Sequence, residues 1–93
     1  MKFRDYVGQV IREIRQSHGL TLTDVSNFGY ISLATISDTE RGVTNTSDEI
    51  VEVIADVLRV SVASIMLEAS VRMSAASIPG EPLLRTNLSL SRP

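Results

Sequence analysis

An all-α fold of five short helices is what this 93-residue sequence predicts, on three observations. Apolar residues recur every three or four positions rather than every second one. Hydroxyl side chains stand where helices would begin, and glycines where they would end. The length suits one small domain with a tail.

Residues 3–17 form the first helix in this reading. Tyr6, Val7, Val10, Ile11 and Ile14 share one face, and Arg4, Gln9, Arg12, Glu13 and Gln16 share the other. Gly19 sits where a C-terminal cap belongs, behind Arg15 in the last turn. Thr21 offers an N-cap hydroxyl, and Asp24 completes a variant capping box. The second helix then runs from Leu22 to Phe28 and breaks at Gly29. Ser32 caps a third helix, Leu33 to Arg41, closed by Gly42. Thr46 and Glu49 supply the next capping pattern. Ile50, Val51, Ile54, Val57 and Leu58 mark the fourth helix, with Val60 as its end. Its β-branched residues lower helix propensity, but their spacing still favours helix over strand. Ser61 caps a fifth helix through Val62, Ile65, Met66, Ala69 and Met73. Pro79-Gly80-Glu81-Pro82 stops any helix, so 1–76 reads as the domain and 77–93 as a flexible tail.

Composition narrows the function classes. Without cysteine there is no disulfide and no cysteine-based zinc site. One histidine leaves only carboxylates for a metal, so neither metal nor cofactor is expected. The start, Met1-Lys2-Phe3-Arg4-Asp5, lacks the pattern of a signal peptide, and no run approaches the roughly 18 apolar residues of a membrane span. A soluble, cytoplasmic protein with no membrane partner is expected. There is no Gly-x-Ser-x-Gly, no supported Ser/His/Asp trio and no phosphate loop. Neither an enzyme nor a small-molecule substrate is indicated. The net charge of −2 hides an uneven spread: residues 1–46 balance, 47–70 carry −4 and 71–93 carry +2. No segment is basic enough to announce nucleic-acid binding by charge alone.

Architecture makes that argument instead. Two helices joined by a tight turn over Thr21 to Gly42 form a helix-turn-helix. Small Ser26 sits where the third helix must approach, and Ile31 and Ile36 point to the shared core. In such a pair the first helix braces across the DNA backbone. The second lies in the major groove with its N-terminal residues against base edges.

The segment "TLTDVSNFGYISLATISDTERG" resembles the Cro/CI-type (Xre) helix-turn-helix regulators, with Ser32, Ile36, Ser37 and Glu40-Arg41-Gly42 at the family's customary places. The resemblance covers about residues 3–69. It is nearest the actinobacterial ClgR-type regulators, through "FRDYVGQVIREIRQSHG" with Arg4, Gly8, Arg12, Arg15 and Gly19 in register. Leu22, Tyr30 and the step Thr46, Ser47, Glu49 are similar too. The resemblance implies a lambda-repressor-like DNA-binding fold and a dimeric transcription factor, commonly an activator of protease and stress genes. It also implies that Arg15 and Glu40 pair between the first and third helices as a structural feature. Three departures stand out. Tyr30 replaces the glycine of the turn, and Gly29 offers a place to which that turn can shift. Thr39 replaces Leu or Ile, so the core beneath the third helix is either underpacked or carries a hydroxyl that needs a partner. Val43-Thr44-Asn45-Thr46 lacks the Lys or Arg common after the closing glycine.

On this reading Leu33, Ala34, Ser37 and Asp38 project towards the groove. Leu33 and Ala34 suit a thymine methyl, Ser37 donates or accepts, and Asp38 accepts from a cytosine amino group. Ser32, Thr21 and Thr23 at the two helix starts belong to the DNA-contact set, as do Thr44 and Asn45 towards phosphate. Arg41 is expected to bind phosphate, the alternative being that it caps the helix and pairs locally. His18 reads as solvated. Asp48, Glu49, Glu52 and Asp56 read as helix-dipole complement and solvated face rather than a cation site.

The partner expected is double-stranded DNA at a palindromic operator, bound by a homodimer, because a domain reading about four or five base pairs cannot single out one genomic site. Val62, Ile65, Met66, Ala69 and Met73 are the expected dimer interface, although part of that stripe must close the domain's own core. A second reading stays open: an interaction module, antitoxin-like or regulator-binding, with weak DNA affinity. The missing cations after Gly42 and the overall acidity favour it.

Overall fold

Short-range caps set where each helix starts and stops in the computed structural model, which describes residues 1–77. Helix α1 (Phe3–Ser17) begins with the Lys2 backbone N–H donating to Asp5 Oδ2 at 2.6 Å. Helix α2 (Leu22–Gly29) begins with the reciprocal box: Thr21 Oγ1 accepts from the Asp24 N–H at 3.0 Å, and Asp24 Oδ2 accepts from the Thr21 N–H at 2.9 Å. Ser32 Oγ accepts from the Thr35 N–H at 3.1 Å and opens α3 (Leu33–Arg41). Helices α4 (Asp48–Leu58) and α5 (Val62–Ser77) complete the order, with no strand among the described residues. Ser61 Oγ accepts from the Ser64 N–H at 3.0 Å, as its expected capping role requires.

Three local expectations are corrected. The cap of α4 is Ser47, whose Oγ accepts from the Ile50 N–H at 3.3 Å, and not Thr46. Thr46 is engaged elsewhere, its hydroxyl lying 2.9 Å from Thr39 Oγ1. That contact and the Thr39 Oγ1 donation to the Thr35 carbonyl at 2.8 Å satisfy the buried hydroxyl of Thr39. Next, α4 ends at Leu58, two residues before Val60: Arg59 takes a left-handed φ of 61°, and the Val60 N–H reaches back to the Ala55 carbonyl at 3.0 Å. Finally, the turn between α2 and α3 does not shift to Gly29. Tyr30 itself takes φ 55°, a conformation that costs a non-glycine residue roughly 1–2 kcal/mol. Gly29 instead gives room, because a Cβ there would press on Val53 Cγ1 at 3.0 Å.

Every helix sends at least one side chain into full burial: Ile11, Val25, Ile36, Ile54 with Leu58, and Ile65. Each contributes roughly 1.5–3 kcal/mol through area removed from water. Helix α1 runs through the middle, against α3, α4 and α5. It approaches α3 so closely that a Cβ on Gly8 would overlap the Thr39 and Glu40 carbonyl groups. No helix among the described residues is long and apolar enough to cross a membrane. The tail expected from residue 77 lies outside the described residues, save for Ser77 at the end of α5.

Candidate nucleic-acid interface

The turn between α2 and α3 is tied at both ends. The Ile31 N–H donates to the Ser26 carbonyl at 3.2 Å, and the Ser26 hydroxyl donates back to the Ile31 carbonyl. Small Ser26 therefore does more than make room: it locks the angle between the two helices. Ile31 and Ile36 lie in the shared core as expected.

With Ile36 and Thr39 turned inward, the opposite side of α3 faces solvent. Leu33, Ala34, Ser37, Asp38 and Arg41 fall at i, i+1, i+4, i+5 and i+8, one helical face. Leu33, Ala34 and Arg41 are exposed, while Ser37 and Asp38 are half-buried. Thr21, Thr23, Ser32, Thr44 and Asn45 are exposed as well. Arg41 does pair locally: its Nη2 lies 2.5 Å from Asp38 Oδ1. One expected base reader and one expected phosphate binder thus hold each other on the free surface.

Arg15 and Glu40 meet between α1 and α3. Arg15 donates from Nε to Glu40 Oε2 at 2.6 Å, from Nη2 to Oε1 at 3.0 Å and from Nη1 to the Leu20 carbonyl at 2.8 Å. The Glu40 carboxylate raises the Arg15 pKa still further, against the pull of burial. Such a bidentate pair orients α3 on α1 rather than facing a ligand.

Two arginines escaped the sequence reading. Arg4 donates from Nε to the Gly42 carbonyl at 2.9 Å and from Nη1 to Asn45 Oδ1 at 2.7 Å. A signal was available: a cation in the first turn of a helix sits at the wrong end of the dipole and so implies a distant acceptor. Arg72 clasps both Glu13 oxygens, at 2.9 and 2.7 Å, and Glu68 Oε2 at 2.9 Å, joining α5 to α1. Its bonds hold Glu13 below the ordinary carboxylate range. Only the i, i+4 half of that cluster was legible in advance.

His18 is exposed, with its ring Nδ1 3.2 Å from Ser17 Oγ. Asp48, Glu49, Glu52 and Asp56 are exposed, and no group of three metal-ligating side chains occurs among the described residues. Along α5 the expected interface residues divide. Ile65 and Ala69 have no exposed surface and belong to the chain's own core, because α5 lies directly on α1. Val62, Met66 and Met73 are partly buried against that core. The outward apolar residues of α5 are instead Leu67, 67% exposed, and Val71, 55% exposed.

Two capped helices, a locked turn and an outward-facing second helix define a helix-turn-helix protein. The chain belongs to the helix-turn-helix family whose model matches residues 11–65. Two sequences called transcriptional regulator ClgR, from two strains of Mycobacterium tuberculosis, are each 35% identical over 71 residues, 76% of this chain. The match spans 63% of the length of those relatives. Two crystal structures of the clp gene regulator ClgR from Corynebacterium glutamicum are also similar. One has a TM-score of 0.78 at 27% identity, covering 100% of this chain and 97% of that one. The other has a TM-score of 0.72 at 28% identity, covering 75% and 90%.

Proposed function

We propose that the chain is a sequence-specific DNA-binding transcriptional regulator that binds a palindromic operator as a homodimer. The observation carrying this is the outer face of α3. Leu33 and Ala34 stand exposed at its N-terminal end, while Ile36, Thr39 and the Arg15–Glu40 pair hold its inner face. A helix anchored on one side and open on the other is what insertion into a major groove requires. The similarity to ClgR regulators supports the same reading, and supports protease or stress genes as the targets.

Mobility shifts on the chain's own promoter DNA at two salt concentrations test it. A specific complex whose affinity falls steeply with salt is the expected result. The interaction-module reading draws support from the Asp38–Arg41 pair, which occupies the cation of α3, and it predicts weak binding with no sequence preference.

The homodimer is proposed to form through the outward side of α5, where Leu67 and Val71 lie one turn apart. Met66 and Met73 contribute at its edge, since both also support the core. Leu67→Asp with Val71→Asp should give a folded monomer with little operator binding. Sedimentation of the unmutated protein as a monomer at micromolar concentration would end the dimer proposal.

A further inference from the structure

The connector after Gly42 carries no cation of its own, yet a guanidinium stands on it. Arg4 spans 38 residues of sequence to reach the Gly42 carbonyl and 41 to reach Asn45 Oδ1. Its Nη2 has no hydrogen-bond partner among the described residues. The contact is keyed by shape as well. Gly42 has a φ of 70°, and a Cβ there would overlap Asp5, which sits beside Arg4 in the first turn of α1. The start of α1 and the α3–α4 connector are therefore held in one fixed relation.

That relation decides what Asn45 can offer. An amide side chain has one acceptor oxygen and two N–H donors, whereas a guanidinium has donors only. Arg4 must therefore face the oxygen. The Asn45 Nδ2 hydrogens, on an exposed side chain, are left for something else. Beside them lies the Arg4 Nη2, with donors and a positive charge. Donors and charge at the edge of a groove-facing helix match a phosphate oxygen, and a charge-assisted bond of this kind is roughly twice as strong as a neutral one.

We infer that Arg4 belongs to the DNA interface: it fixes Asn45 as a donor and supplies, from α1, the charge that the connector lacks, so that one backbone phosphate is held between the two side chains. This rests on the DNA-binding reading above. It also accounts for the first-turn position of Arg4, which is unfavourable for the isolated helix. The arrangement is independent of base identity, so it adds affinity and register rather than sequence preference.

The competing role is a staple that merely ties the connector to α1, and Asn45→Asp separates the two. A carboxylate keeps or strengthens the bond to Arg4 but turns an acceptor towards the phosphate. The melting temperature should hold or rise while affinity for promoter DNA falls about tenfold or more. Arg4→Gln should lower affinity for promoter and random-sequence duplexes alike. It should also flatten the slope of log affinity against log salt by about 0.9, the contribution of one phosphate contact. Unchanged affinity in Asn45→Asp, or an unchanged salt slope in a folded Arg4→Gln, overturns the inference while leaving DNA binding intact. If the unmutated protein forms no salt-sensitive complex with either duplex, the DNA reading and this inference fall together. Should Arg4→Gln not fold, Asn45→Asp decides alone.

Discussion

Helix α3 holds two arginines through two carboxylates that lie two residues apart, Glu40 on its inner side and Asp38 on its outer side. The Glu40–Arg15 pair has two short contacts and side chains only 6% and 10% exposed. The Asp38–Arg41 pair has one contact and side chains 35% and 64% exposed. The chemistry is the same, and solvent separates the roles. Largely shielded from water, the two partners of the inner pair depend on each other to balance their charges, so the pair is committed to the fold. In water the outer pair contributes little, and either member can leave it for a new partner. The proposed DNA interface, which would exchange its own contacts for those of DNA, needs pairs of the second kind, mounted on a helix held by one of the first.

Glu40→Ala strikes this comparison hardest. It strands Arg15, and removing one partner of a buried pair costs about 3–5 kcal/mol. A large drop in melting temperature is expected, with partial recovery when Arg15 is replaced as well. Recovery stays partial because Arg15 also serves the Leu20 carbonyl. Strict additivity of the two substitutions would show that the side chains do not interact.

Gly8→Ala attacks the same pair without touching its charges. The new methyl would press on the Thr39 and Glu40 carbonyl groups and push α1 from α3. Overpacking of this kind costs about 1–3 kcal/mol, read by thermal denaturation. A neutral result would mean that the α1–α3 spacing does not support the pair.

Asp38→Ala should leave stability within about 0.5 kcal/mol, as for other exposed pairs. Its effect is expected in binding: relaxed preference at one base-pair position by roughly 1–3 kcal/mol, measured on single-base operator variants. A uniform gain in affinity for all variants would instead assign Asp38 to restraining Arg41 and not to reading a base.

Arg72→Ala should have a small effect confined to stability, at most about 1 kcal/mol and less in high salt, because the carboxylates it releases, Glu13 and Glu68, are 60% and 49% exposed. Its pH dependence carries a definite sign. Arg72 lowers the Glu13 pKa in the folded chain, so the stability gained is complete above the ordinary glutamate range. It is lost as the pH falls through the lowered value. The difference between Arg72→Ala and the unmutated protein should therefore vanish in acid; a difference that persists there would rule out this ion pair as its cause.

These side chains also mark how far sequence reading reached. The two ends of the α2–α3 unit were legible, from the Thr21–Asp24 box and the Ser32 cap to Gly42, because a cap and its partner lie within four residues of each other; the turn at Tyr30 was not. Where two caps competed, locality failed. Thr46 and Ser47 both fit the start of α4, and Thr39, seven residues away, removed Thr46 from the choice. The outward residues of α3 followed from helical phase alone. Arg4 did not, since its acceptors arrive from another helix-to-helix connection.

Composition, period and caps by themselves determined an all-α chain, the starts of four of its five helices and the face that α3 turns outward. These are properties of a few neighbouring residues and of a fixed helical repeat. Only the tertiary structure decided which residues of α5 were consumed by the core, why Tyr30 and not Gly29 took the positive φ, and which of the arginines were staples, clasps or free hands. Each of those outcomes depends on what another helix places within about 3 Å, the reach of a hydrogen bond, and spacing along one helix does not contain that information.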